Sequence, residues 1–187
     1  MSQTPEVIWV KNRDTTDSWT AVHPDLSADH VIYLNLTNGQ NSSATSFGTH
    51  TNQVILVGPD YATNKSGSKM IAYCFHSVEG FSKFGSFEGN SAADGTFVYL
   101  GFRPAYVILK ANANGVDWSL FDSKRLGFNV DNNNLRAFAA SAATEQTDDD
   151  IDFLSNGFKC RRNFANNQGT VLFFAWAEAP FKFSNSR

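Results

Sequence analysis

The chain has 187 residues, enough for one domain of good size or two small ones. Its 15 basic and 18 acidic side chains give a formal net charge of −3 without a basic face, which argues against nucleic-acid binding. No run approaches the roughly 18 consecutive apolar residues of a membrane span, and the N-terminus lacks a signal-peptide pattern. We therefore expect a globular chain without membrane insertion, whose 17 phenylalanines contribute to a large aromatic core.

Taken in chain order, the sequence consists of short alternating runs separated by turn residues. The run at 30–36 is followed by Asn38-Gly39, Asp94-Gly95 precedes the run at 96–102, and Asn156-Gly157 follows the run at 151–155. Asn-Gly and Asp-Gly tolerate the positive φ of tight hairpins, so we interpret them as hairpin signals. Strands of about five residues between turns predict an all-β sandwich or barrel.

An internal repeat is visible at two separate landmarks. "PEVIWVK" (Pro5–Lys11) resembles "PAYVILK" (Pro104–Lys110), and Trp19 and Trp118 are likewise 99 positions apart. Further matches join "YLNL" (33–36) to "NLRA" (134–137), two positions further apart, and "AYCFHSVEGFSKF" (72–84) to "FAWAEAPFKF" (174–183). The pattern predicts two related β-rich repeats, residues 1–84 and residues 85–187 with two connector strands, packed in one unit as jelly-roll-like sandwiches.

The first strand of each repeat is apolar on both faces, as in a strand covered on both sides. We therefore expect Ile8, Val10, Val107 and Leu109 to be buried. The two tryptophans are either core residues or ligand platforms. The first repeat lacks the connector strands that precede the second, so we expect the natural protein to extend upstream.

The same residues carry a resemblance to a known family. "FHSVEGFSKFGSFEGN", "GTFVYLGFRPAYVILK" and "LFDSKR" resemble a domain that recurs in tailed-phage proteins, particularly of marine and cyanobacterial phages. The resemblance implies a virion structural protein, typically a distal part of a tail fibre, whose partners are other virion proteins and whose state is a homo-oligomer, with a trimer favoured. It supplies no catalytic residue, cofactor or metal. Leu126 interrupts the family's usual arginine-glycine order before Gly127.

The densest carboxylate cluster is the run of Asp148, Asp149, Asp150 and Asp152. It is either a cation site, since hard cations prefer oxygen ligands, or a solvated loop or helix cap. The four histidines show no zinc-binding spacing. For the two cysteines, we expect a buried thiol at Cys74, with a Cys74–Cys160 disulfide as the alternative.

Two loops combine an aromatic ring with amides and carboxylates. Residues 58–67 contain Asp60 and Tyr61, and residues 127–134 contain Phe128, Asn132 and Asn133. A ring can stack on a pyranose while the polar groups bond to its hydroxyls, so these five residues are the candidate glycan contacts. Under the alternative, both rings fold back onto the core as loop anchors.

The leading functional prediction is host attachment by a tail-fibre or receptor-binding domain that recognises surface polysaccharide. A head-decoration or appendage-scaffold protein is the first alternative. A glycan depolymerase is the second, with a carboxylate pair such as Glu79 and Glu88 as its catalytic groups. We expect no enzyme activity.

Overall fold

The computed structural model describes residues 3–124, 133–134 and 146–179. Nearly all regular structure in these residues is β, which confirms the predicted all-β class. The helical exceptions are α1 (Tyr61–Asn64) and a 3₁₀ turn (Ala165–Asn167). The strands are β1 (Val7–Asn12), β2 (Thr20–Val22), β3 (His30–Tyr33), β4 (Asn41–Ser42), β5 (Met70–Phe75), β6 (Ser82–Asn90), β7 (Phe97–Tyr99), β8 (Pro104–Ala111), β9 (Ser119–Asp122), β10 (Asn133–Asn134), β11 (Gln146–Thr147), β12 (Ile151–Leu154), β13 (Gly157–Cys160) and β14 (Gln168–Ala177).

The strands form three stacked antiparallel sheets. The first sheet has the order β4-β3-β2-β1-β5, the central sheet β6-β14-β8-β9, and the third sheet β12-β13-β7. The short strands β10 and β11 pair with each other. One apolar core lies between the first and central sheets, and a second lies between the central and third sheets. The molecule is therefore a β-sandwich whose middle layer is covered on both faces.

Strand β8 shows this double coverage directly. Val107 and Leu109 belong to the core shared with the third sheet, whereas Ile108 belongs to the core shared with the first sheet. In β1, Val7 faces the central sheet, while Ile8 and Val10 are buried on the outer face, where α1 contacts the strand. Ile8, Val10, Val107 and Leu109 are all buried, as predicted.

The two sheets that contain the predicted repeats share strand order and register. Ile8 pairs with Val22 in the first sheet, and Val107 pairs with Phe121 in the central sheet. Ile8 and Val107 are 99 positions apart in the sequence, and so are Val22 and Phe121. On the other side of each strand, Ile8 pairs with Cys74 and Val107 pairs with Ala175. Cys74 and Ala175 are 101 positions apart in the sequence. Trp19 directly precedes β2, and Trp118 directly precedes β9. A common origin of the two halves and their boundary at residue 84 remain predictions.

Only one of the three turn signals closes a tight hairpin. Residues 155–156 join β12 to β13, whereas Asn38-Gly39 lies in a longer connection and Asp94-Gly95 lies where the chain passes from the central to the third sheet. Asn156 has no positive φ. Gly157 is required because a Cβ there would lie 2.0 Å from the carbonyl oxygen of Val98 on the neighbouring strand β7.

Both cysteines are free, so there is no disulfide between them. Cys160 is buried, but Cys74 is only partly buried because β5 lies at the edge of the first sheet. The expectation of a buried thiol at Cys74 is therefore wrong. No helix formed by the described residues has the length and apolar character needed to cross a membrane.

Candidate functional site

An open groove of about 350 Å³ lies where the chain passes from the central sheet to the third sheet. We call it the aromatic groove and define it by Asp25, Lys83, Ser86, Phe97 and Tyr99. Strands β6 and β7 provide four of these residues, and the connection after β2 provides Asp25. Each of these two strands is at the edge of its sheet, so the groove opens to solvent.

The exposed rings of the groove follow from the alternation of side chains along β7. Val98 points into the core between the central and third sheets, so Phe97 and Tyr99 point to the opposite face. Phe97 is 43% exposed and Tyr99 is 60% exposed. Large exposed aromatic side chains on a rigid strand are typical of binding surfaces rather than of packing.

Gly157 of strand β13 shapes the surface around these rings. It pairs with Tyr99, and a Cβ at Gly157 would lie 3.2 Å from Cε2 of Phe97. The ring of Phe97 therefore leans over a position without a side chain. One side of the Phe97 ring therefore packs on the backbone of the third sheet at Gly157.

Lys83 supplies a cation beside the rings. Its ammonium donates a hydrogen bond to the carbonyl oxygen of Tyr99 at 2.8 Å and lies 5.5 Å from the centroid of the Tyr99 ring. The exposed carboxylate of Asp25 also lines the groove, and its Oδ2 lies 3.7 Å from where a Cβ at Gly85 of β6 would be. The groove thus combines two apolar rings with a cation, an anion and the Ser86 hydroxyl. This combination suits a neutral ligand that has both apolar faces and hydroxyl groups.

The acidic run borders a second, more polar cleft of about 450 Å³. Arg162 forms ion pairs with Asp148 and with Asp150, and Arg161 forms one with Asp152. Asp150 is buried, so the expectation of a solvated loop is wrong for that residue. Among the described residues no group of histidine, cysteine and carboxylate side chains could hold a metal ion.

Asn166 organises the floor of this second cleft. Its side-chain amide donates to the Asp117 carbonyl and to the Ser119 hydroxyl, and its side-chain oxygen accepts from the amide of Ala111. Asn166 thus joins the 3₁₀ turn to both β8 and β9. These hydrogen bonds give Asn166 a structural role, so it needs no ligand to explain its burial.

The structure places two of the five predicted glycan contacts in full. Tyr61 is 72% exposed at the start of α1, with the Lys65 ammonium 5.7 Å from its ring centroid. Asp60 caps α1, where its carboxylate accepts from the amide of Ala62 at 2.7 Å and from the hydroxyl of Ser46 at 3.0 Å. Both oxygens of Asp60 thus already bond within the protein. Helix α1 covers the first sheet, so Tyr61 is on the opposite outer layer from the aromatic groove.

Phe128 and Asn132 lie outside the described residues. Asn133 is described only as part of β10, where it pairs with Thr147 of β11. Asp122 caps the turn after β9 by accepting a hydrogen bond from the amide of Lys124 at 2.8 Å.

Three of the histidines line a shallow cleft of about 300 Å³ beside β2 and β3. Burial lowers the pKa of His23 to about 4, although its hydrogen bond to the Phe173 carbonyl acts in the opposite direction. His23 is therefore neutral, with Nε2 donating to Phe173 and Nδ1 accepting from the amide of Asp25. His50 accepts from the amide of Leu56, and burial lowers its pKa as well.

The carboxylates of Glu79 and Glu88 are too far apart for glycoside hydrolysis. Glu79 lies in the turn before β6, whereas Glu88 is six residues beyond the first residue of that strand. Six strand residues span about 20 Å, more than the roughly 5–9.5 Å between the paired carboxylates of glycosidases. This pair therefore gives no support to the depolymerase alternative.

The sequence interpretation missed the aromatic groove, although a signal was present. In "GTFVYLGF", Phe97 and Tyr99 alternate with Val98 and Leu100, so one face of the predicted strand had to carry two aromatic rings. Only the tertiary structure shows which face of β7 packs on another layer: Val98 and Leu100 lie in the core, and Phe97 and Tyr99 are exposed.

The chain belongs to a family of domains of unknown function, DUF7483, which matches residues 1–180. The description of this family states no activity. No curated protein and no solved structure matches the chain significantly.

Proposed function

We propose that the chain is a virion attachment module, a distal tail-fibre or receptor-binding domain that binds host surface polysaccharide through the aromatic groove. The observation that carries the proposal is the pair of exposed rings, Phe97 and Tyr99, held on one face of a sheet edge. The resemblance to tailed-phage proteins supplies the virion context. The expected homotrimer and its contacts with other virion proteins rest on that resemblance alone.

The chemistry of the groove agrees with a carbohydrate ligand. A pyranose has an apolar C–H face, which can pack on an aromatic ring, and an edge of hydroxyl groups, which need donors and acceptors. Lys83 donates, Asp25 accepts and Ser86 can do both, and all three line the groove with the rings. The pairing of β7 with β13 fixes the backbone from which both rings extend, and a preformed site loses less entropy on binding.

The test is binding of the purified protein to isolated host polysaccharide, compared between Phe97→Ala, Tyr99→Ala and the unaltered protein. We expect each substitution to weaken binding about tenfold, equivalent to about 1.4 kcal/mol, without a change in the melting temperature. Leu56→Ala is the matched control, because Leu56 is also an exposed apolar side chain but lies outside the groove. Unchanged binding by both ring variants would contradict the groove as the site.

A fourth variant, Tyr61→Ala, separates the two candidate glycan sites, because Tyr61 is on the opposite outer layer. Loss of binding in Tyr61→Ala alone would place the ligand at the 58–67 loop. Localisation to the capsid lattice without any glycan binding would favour the decoration or scaffold alternative. Release of reducing sugars would favour a depolymerase.

A further inference from the structure

A single turn between β2 and β3 separates the aromatic groove from the shallow cleft that three histidines line. We call this cleft the histidine cleft and define it by Asp29, His30, Ser43, Phe47 and His50. The ridge between the two, residues 23–29, contributes Asp25 to the aromatic groove and Asp29 to the histidine cleft. Four peptide steps span at most about 14 Å, so one ligand chain can reach both clefts.

Both ends of the ridge are fixed to other parts of the fold. At one end, His23 donates to the carbonyl of Phe173 on β14 at 3.3 Å, and its own carbonyl accepts from the amide of Leu26 at 3.1 Å. At the other end, the carbonyl of Asp29 accepts from the amide of Ser43 at 2.7 Å, directly after β4. These bonds hold the two clefts in one arrangement, so a ligand that spans them meets a preformed surface.

Each cleft has one exposed carboxylate on the ridge. Among the described residues, no donor bonds to the side chain of Asp25 or to that of Asp29. Asp60, by contrast, already uses both of its carboxylate oxygens within the protein. An ionised carboxylate accepts hydrogen bonds and donates none, so Asp25 and Asp29 each offer an acceptor for the hydroxyl groups of a ligand.

The histidine cleft also contains an aromatic ring beside a hydrogen-bond donor. The rings of Phe47 and His50 are in edge contact, with centroids 5.8 Å apart. Burial lowers the pKa of His50, which keeps the ring neutral at neutral pH. Because Nδ1 of His50 accepts from the amide of Leu56 at 3.3 Å, the proton of the neutral ring is on Nε2, which can donate. Ring, donor and carboxylate thus occur together here, as they do in the aromatic groove.

We propose that the histidine cleft is a second subsite for the same carbohydrate, so that the ligand is an extended polysaccharide chain crossing the ridge. This inference rests on the proposed function, because it takes the aromatic groove as the first subsite. The two clefts have volumes of about 350 and 300 Å³, near the lower limit for ligand pockets, so each suits a short part of a polymer. The substrate class is therefore an internal segment of a long chain and not a terminal sugar.

Binding of a length series tests the proposal. The isolated host polysaccharide is cut by partial acid hydrolysis, and calorimetry measures the affinity of the full chain for fractions from disaccharides to octasaccharides. A ligand that occupies both subsites gains from their linkage, so we expect the longest fraction to bind about 100-fold more tightly than the disaccharide. The affinity should rise steeply at the length that first crosses the ridge.

Two variants of the histidine cleft should remove this gain with length. His50→Asn keeps an acceptor for the Leu56 amide but loses the Nε2 donor. Asp29→Asn loses the carboxylate, and asparagine tolerates the φ of +57° at this position. In each variant we expect the gain to fall below about tenfold, with the disaccharide affinity and the melting temperature unchanged. Val54→Ala is the matched control, because Val54 is exposed in the same connection between β4 and α1 but does not line the cleft.

The outcomes separate this inference from the proposed function. Phe97→Ala should weaken binding at every length, because it removes the first subsite. Equal affinity for short and long fractions, or a full gain with length in both cleft variants, would overturn the second subsite and leave the aromatic groove as the whole site. Absence of binding at every length would overturn both the second subsite and the proposed function.

Discussion

The first sheet and the central sheet are built on the same three-strand pattern, but their environments differ. In each, the opening strand lies between a short following strand and a long later one, in the same register. The central sheet lies between two other sheets. Among the described residues, the first sheet has the central sheet on one face and α1 with its flanking loops on the other.

Two side chains show how closely the local structure is shared. Lys11 donates to the carbonyl of Asn12, and Lys110, 99 positions later, donates to that of Ala111. His23 accepts from the amide two residues ahead of it, and Asp122, at the equivalent position, does the same. Different residue types thus perform the same local role in the two halves.

Burial, by contrast, is not shared. Lys110 is fully buried and bonds to three carbonyls, of Thr37, Ala111 and Ala113, whereas Lys11 is half-buried and bonds to two. Strand pairing and turn contacts therefore follow the local sequence, while burial depends on what packs on the sheet from elsewhere.

The largest expected difference concerns two buried isoleucines, Ile8 of β1 and Ile108 of β8. Ile108 lies between two sheets and Ile8 lies under α1 and its loop, and both are buried. Ile108→Ala should lower the unfolding free energy by about 3–5 kcal/mol, and Ile8→Ala by about 2–3 kcal/mol, because a loop relaxes into a cavity more easily than a sheet. Chemical denaturation measures both values. Equal losses would show that the two faces pack alike.

The next prediction concerns acid sensitivity in the first half. The pKa of His23 is about 4 in the folded protein and about 6.5 when unfolded, so the unfolded chain binds more protons between these values. Stability should therefore fall as the pH drops from 6.5 to 4, by roughly 3 kcal/mol from this residue. In His23→Asn, which keeps an acceptor for the Asp25 amide, this component should disappear. Parallel stability curves for the two proteins would contradict it.

The lysine pair should show a smaller contrast. Lys110→Met leaves three carbonyls without their donor and should cost about 2 kcal/mol at neutral pH, whereas Lys11→Met should cost less than about 1 kcal/mol. Burial also lowers the pKa of Lys110 to about 8, against 10.5 in the unfolded chain. The unfolded state then holds more protons between these values, so wild type should gain stability relative to Lys110→Met as the pH rises through that interval. A constant difference would contradict the shifted pKa.

The smallest expected effect separates the two tryptophans. Trp118 is buried and its indole donates to the Tyr33 carbonyl at 3.1 Å, whereas Trp19 is half-buried with its ring stacked on Tyr73. Trp118→Phe should cost about 1–2 kcal/mol because the buried carbonyl loses its donor. Trp19→Phe should cost less than about 0.5 kcal/mol. Thermal unfolding distinguishes them, and a larger loss at Trp19 would reverse the comparison.

The sequence by itself determined the all-β class, most of the strands and the four buried positions of β1 and β8. These features depend on local alternation and on apolar runs, which are readable along a single chain. The sequence also predicted two strands before the second repeat, and the structure contains them as β6 and β7. The turn signals were less reliable, because Gly157 is needed for its close approach to Val98 and not for its φ.

Only the tertiary structure decided which faces are covered. Lys110 is polar in sequence but is enclosed by the chain around residues 37 and 113, while the aromatic residues Phe97 and Tyr99 lie on a face of the third sheet that no described layer covers. Asp150 is part of an acidic run but is buried and paired with Arg162. Alternation along a strand separates its two faces but cannot say which of them another layer will cover, because that layer comes from distant parts of the chain.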